Sequence, residues 1–173
     1  MVSSPGRAVA NLATALREEG WEPTILTVRW EPSWPSRIRF RDMPVVRIEP
    51  PPGGRRATFC YVRAIIHWLD QYGDQFDLVY ASGLRHEAYA AVRAADDRLP
   101  VVLRAEKGGL PGDCLWQIEA PHGQEIKRQC VQAAALVAAN RALEGELQAA
   151  GYPRDRIQHL PDGVPIPPPR TAA

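Results

Sequence analysis

The sequence predicts an α/β fold: a parallel sheet with helices on both faces, entered at its first helix because its first strand is missing. Three observations carry this. Short β-branched apolar runs alternate along the chain with longer segments of helical period. The last unit, Ala135 to Leu160, runs strand, helix, glycine stop, strand. The chain itself opens on Ser4-Pro5-Gly6-Arg7, a helix start with no apolar run before it.

In order, Ser4 reads as an N-cap and Pro5 as the first helical residue, and Val9, Leu12, Ala13 and Leu16 repeat at helical spacing up to Gly20. Thr24 to Val28 and Pro44 to Ile48 are apolar runs, hence buried strands. The proline-braced segment Arg29 to Arg41 between them reads as a loop. Ala57 to Tyr72 sets Tyr61, Ile65, Trp68 and Leu69 on one helical face. Asp77 to Ala81 is a strand and His86 to Ala95 a helix. Pro100 to Leu103 is a strand, followed by the glycine-rich loop Lys107 to Asp113 and a helix from Gly123 to Ala133. Ala135 to Ala139 is a strand and Arg141 to Ala150 a helix, closed by Gly151 because glycine enters the left-handed C′ conformation cheaply. Arg156 to Leu160 is the last strand. Such alternation gives a parallel sheet with right-handed crossovers. Without its first strand the sheet leaves two neighbours with unpaired edges, so self-association through that edge is expected.

The 173 residues suffice for one domain with a sizeable core. The net charge of +1 implies no general attraction to nucleic acid. No apolar run approaches the roughly 20 residues a membrane span needs, and MVSSPGRAV lacks a signal-peptide core. Three widely spaced cysteines read as reduced thiols, consistent with a cytoplasmic protein. Four histidines show no metal spacing, so no metal site is expected. The 17 prolines cluster at loops and at the C-terminal PIPPP run, which reads as a semi-rigid spacer.

Asn140, Leu147, Gly151, Ile157 and Leu160-Pro161-Asp162-Gly163-Val164 follow an S…L…G…I.VIPNGV pattern, with Asp162 in place of Asn. This stretch resembles the domain junction of retaining glycosyltransferases of the GT-B fold, the group 1 or GT4 family. SPGRAVANLATALREEGWEPTILTV resembles that family's glycine-rich loop, first helix and second strand. The resemblance implies a Rossmann-like, acceptor-side N-terminal domain over residues 1–164. Residues 165–173 are then a proline-rich hinge to an absent C-terminal donor domain. It further implies a parent enzyme, of hexosyltransferase type, moving a sugar from a nucleotide-sugar donor to an acceptor hydroxyl with retention. The donor is expected to bind mainly in the absent domain, so this chain alone is expected to be inactive. No cofactor beyond that donor is implied. The partners implied are a sugar or lipid-linked acceptor and the donor domain. The alternative from the residues is a non-catalytic flavodoxin-like or Rossmann-like binding module.

In open α/β sheets ligands bind outside the carboxyl ends of the strands. That selects Gly6 and Arg7 at the first helix, whose backbone N–H groups face an anion, and Ser82 after the strand ending at Ala81. It also selects Arg104 and Glu106 beyond Leu103, in a region where many relatives of the resembled family carry a histidine. An arginine beside a carboxylate can position a sugar hydroxyl or steady a phosphate, or simply form a local ion pair. Asp113 and Trp116 offer a carboxylate and an aromatic face for a sugar ring, or a cap and a half-buried indole. No residue is assigned to catalysis. Trp30, Trp34, Arg37, Arg39 and Arg41 interleave aromatic and basic residues, with Arg55, Arg56 and Arg63 nearby in sequence. That mixture suits an anionic acceptor or the inner face of a membrane, or a surface loop whose arginine stems cover the tryptophans.

Overall fold

The computed structural model describes residues 4–96 and 98–163, with the backbone alone at 4 and 5. The hinge expected over 165–173 lies outside the described residues. Six helices and seven strands alternate: α1 (Ser4–Glu18), β1 (Ile25–Val28), β2 (Arg37–Phe40), β3 (Met43–Ile48), α2 (Gly54–Tyr72), β4 (Val79–Ser82), α3 (His86–Ala95), β5 (Val101–Arg104), α4 (Asp113–Glu119), α5 (Gly123–Cys130), β6 (Ala135–Ala138), α6 (Arg141–Ala149) and β7 (Ile157–His159).

The strands form two sheets. β4, β5, β6 and β7 lie side by side in that order, all parallel, with Ser82 opposite Arg104 and Ala138 opposite His159. β1 pairs in parallel with β3, Val28 opposite Ile48, and β2 pairs antiparallel on the far side of β3. Among the described residues no strand precedes α1, and β1 and β4 each keep one open edge. The single parallel sheet predicted is therefore divided into a three-stranded and a four-stranded sheet.

Two elements correct the sequence expectation. The segment 29–41, expected as a loop, contains the strand β2. Its arginines hid it: Arg37, Ile38, Arg39, Phe40 alternates charged and apolar residues, the pattern of a guarded edge strand. Asp113, expected to end the glycine-rich loop, opens the short helix α4, which also carries Trp116 and which the sequence reading left unassigned.

The core lies where α2 and α3 meet the parallel sheets. α2 contributes Tyr61, Val62, Ile65 and Leu69. α3 answers with Ala88, Ala90, Ala91, Ala94 and Ala95, all buried, and these small residues let the helices approach closely. Leu103 and Leu136 from adjacent strands, with Leu84 and Leu147, are fully enclosed. α6 ends at Gly151, whose φ of 87° is the left-handed conformation expected there. The Gly151 N–H donates to the Gln148 carbonyl (2.9 Å) and the Tyr152 N–H to the Leu147 carbonyl (3.1 Å), so the last carbonyls of the helix are satisfied. Among the described residues no helix is long and apolar enough to cross a membrane.

Gly123 and Gly145 sit in opposite surroundings. A Cβ on Gly123 would strike the carbonyl of Gln117, whereas one on Gly145, in the middle of α6, meets nothing within 4 Å. Gly123→Ala is therefore expected to cost about 1–3 kcal/mol by overpacking. Gly145→Ala is expected to add up to about 1 kcal/mol through helix propensity. Urea unfolding of the two variants checks both signs.

Candidate functional site

β4 and β5 end side by side, so Ser82 and Arg104 are neighbours at the carboxyl edge. The Ser82 hydroxyl donates to the Glu106 carboxylate. Arg104 is largely buried and pairs with Asp162, in the segment that leaves the last strand. The alternative of a local Arg104–Glu106 ion pair is not what forms. Burial alone would weaken the Arg104 charge, but Asp162 and Tyr80 outweigh it and hold the guanidinium above its ordinary pKa. Burial in turn pushes the Tyr80 phenol up, against the opposing pull of Arg104.

A second cluster adjoins the first. Asp113, 2% exposed, accepts the Glu106 N–H (2.8 Å) with one oxygen and Arg85 Nε (3.3 Å) with the other. The Arg85 guanidinium lies 5.2 Å above the centre of the Trp116 ring. The His86 ring meets the same indole edge-on, 5.2 Å between centroids and 76° between planes. Burial lowers the His86 pKa from its ordinary 6.5, with Glu87 opposing and Arg85 assisting. Arg85 and His86 were not selected from sequence. The signal was there: they follow Ser82-Gly83-Leu84 at the start of the next helix, where the carboxyl-edge rule points.

The glycine-rich loop is folded back and fastened. The Asp113 N–H donates to the Lys107 carbonyl (3.0 Å) and the Gly109 N–H to Glu146 of α6 (2.8 Å). Cys114 and Cys130 are no nucleophiles here: burial, aided by neighbouring carboxylates, raises their thiols to about 11 and about 12.

The structure thus brings together Ser82, Arg104, Glu106, Asp113 and Trp116 and adds Arg85, His86 and Asp162. It does not join Gly6 and Arg7 to them. Those two lie exposed in the first turn of α1, and among the described residues the bonds from α1 to other elements run from Thr14 and Arg17 to the β2–β3 turn. The aromatic-basic group is also divided. Trp30, Trp34 and Arg37 stand near the carboxyl ends of β1 and β3, while Arg39 and Arg41 stand toward the amino end of β3, beside the turn that α1 touches.

The domain is thus an open, doubly wound α/β unit with polar and charged side chains gathered where its strands end. Residues 5–166 match the family model of Glycosyltransferase Family 4, and the chain belongs to that family. The fold is similar to a sucrose-phosphate synthase chain from Thermosynechococcus elongatus (TM-score 0.70, 15% identity), over 92% of this chain and 86% of that one. A longer sucrose-phosphate synthase chain from the same organism matches with TM-score 0.64 and 14% identity, and 42% of its length is covered. At such identities the likeness is one of fold. No curated protein sequence matches the chain.

His86 supplies a test of the second cluster. In the folded chain it binds its proton less readily than a free histidine does, so the unfolded state takes up more protons on acidification. Stability is therefore expected to be full above about pH 6.5 and to fall as pH drops through and below that value. An NMR titration should place the His86 midpoint below 6.5, and Trp116→Ala, by opening the ring to water, should raise it.

Proposed function

We propose that this chain is the acceptor-binding domain of a retaining glycosyltransferase of hexosyltransferase type. The full enzyme moves a sugar from a nucleotide-sugar donor, held mainly by a second domain, to an acceptor hydroxyl. The single observation that carries the reading is the Ser82–Glu106 pair set beside Arg104 and Arg85 at the carboxyl ends of β4 and β5. Family membership supports it. So does the name of the structural neighbours, sucrose-phosphate synthase, which belongs to carbohydrate chemistry.

The chemistry follows from what each side chain has left to offer. Glu106 uses one oxygen on the Ser82 hydroxyl and keeps a carboxylate oxygen to accept from a sugar hydroxyl. The Arg85 side chain gives Nε to Asp113 and makes no other hydrogen bond among the described residues, so its terminal nitrogens remain for an acceptor oxygen or a phosphate. Trp116 is engaged by Arg85 on one side and by His86 at its edge, so its role is to position both. Catalysis by such a half consists in holding the hydroxyl in line with the donor, an entropic contribution that needs rigid side chains. The fastened loop and the buried Asp113 provide that rigidity.

In the two-domain enzyme, Glu106→Gln and Arg104→Ala are each expected to weaken acceptor use about ten- to a hundredfold, the range for losing a charge-assisted hydrogen bond. Nucleotide affinity should stay within about twofold. Steady-state kinetics with acceptor varied, beside calorimetry with the nucleotide, separates the two. Equal loss of both would move the donor site into this half. Calorimetry of the isolated chain with UDP- or GDP-sugars should show no heat of binding.

A further inference from the structure

Between Arg29 and Arg63 stand eight arginines against three acids, a net charge of +5 in a chain whose total is +1. The remainder is therefore acidic on balance, and the excess of positive charge lies in about one fifth of the chain. β1 and β3 run parallel with Val28 opposite Ile48, so the loop after β1 and the start of α2 leave from the same carboxyl edge.

On α2 the two faces are sorted. Tyr61, Val62, Ile65 and Leu69 face the core, while Arg55, Arg56, Phe59 and Arg63 are all exposed. Phe59 is 60% exposed with the Arg63 guanidinium 5.8 Å above its ring. No acid occurs on this helix before Asp70. Arg37, Arg55, Arg56 and Arg63 have no ion-pair partner among the described residues.

The loop after β1 presents Trp30 and Trp34, 55% and 41% exposed, although it is firmly braced. Arg29 donates to the Pro32 carbonyl and pairs with Glu49 at 2.5 Å. Arg47 donates to the Pro35 carbonyl (2.9 Å) and lies 5.1 Å above the Trp34 ring. Arg47 thus lies over one face of Trp34, while Trp30 and the rest of Trp34 stay exposed.

We infer that this face, the 30–37 loop and the outer side of α2, docks on an anionic lipid bilayer. Amphipathic indole rings settle at headgroup depth, and unpaired guanidinium groups beside them are drawn to anionic lipids. Arginine suits phosphate headgroups because its planar fork binds phosphate bidentately. The inference does not depend on the proposed transfer reaction, because it concerns the bare surface.

The test is co-sedimentation of the 173-residue chain with vesicles of phosphatidylcholine, with and without phosphatidylglycerol. Binding is expected only where the anionic lipid is present, and it should fall steeply as NaCl rises from about 0.1 to about 0.5 M. Arg55→Ala, Arg56→Ala and Arg63→Ala should each lower the partition coefficient about fivefold. Arg39→Ala with Arg41→Ala, at the other end of the hairpin, should leave it unchanged. A blue shift of tryptophan emission on binding should be lost in the Trp30→Ala, Trp34→Ala double variant. Equal binding to neutral vesicles, no binding to anionic ones at low salt, or equal loss in the Arg39/Arg41 control overturns the proposal. So does binding to an oligonucleotide, but not to vesicles, through the same arginines. The lipid and salt dependence of the unaltered chain decides the matter even if a variant fails to fold.

Discussion

A buried carboxylate must be neutralised or fully hydrogen-bonded, and at Asp113 that requirement organises the carboxyl edge. Its two oxygens take the Glu106 N–H from the loop after β5 and Arg85 Nε from the loop after β4. Two loops that begin on different strands are thereby fixed to the first turn of α4. One turn later Gln117, fully buried, repeats the device. Its amide donates to the Leu84 carbonyl (2.8 Å) and accepts from the Tyr152 hydroxyl (2.8 Å). α4 has only seven residues and could not persist alone, so these side-chain bonds, rather than its own ladder, keep it in place.

This explains which parts were legible in the sequence. The five helix-strand alternations carry their own periodicity, and the predicted spans agree with the observed elements to within a few residues. α3 runs from His86 to Ala95, the span expected from the sequence. β2 and α4 escaped because neither is specified locally. β2 exists by pairing with β3, and its own residues favour solvent. α4 exists by the tertiary bonds of Asp113 and Gln117.

The site followed the same division. Ser82, Arg104 and Glu106 were reachable because strand ends are readable and ligands gather there. Arg85 and His86 were missed although they open the helix after β4, at a strand end that the same rule selects; what ties them to the site, Asp113 and Trp116, lies far along the chain. The grouping of Trp30 with Arg41 failed for the opposite reason. Closeness in sequence promised closeness in space, and a strand between them carried the two ends apart.

Arg104 and Asp162 draw these threads together. Arg104 lies, with Glu106, in the region where the resembled family often carries a histidine, and Asp162 stands where asparagine is usual. In the structure the Arg104 and Asp162 side chains pair. A half-buried guanidinium at the end of β5 is favoured by a counter-charge, and a neutral asparagine would supply less of one. With an aspartate there, the segment leaving β7 is strapped across the carboxyl edge, next to Glu106 and Ser82. The segment that follows β7 is thus held by the same arginine that borders the candidate site. A ligand anion that engaged Arg104 would have to share it with Asp162.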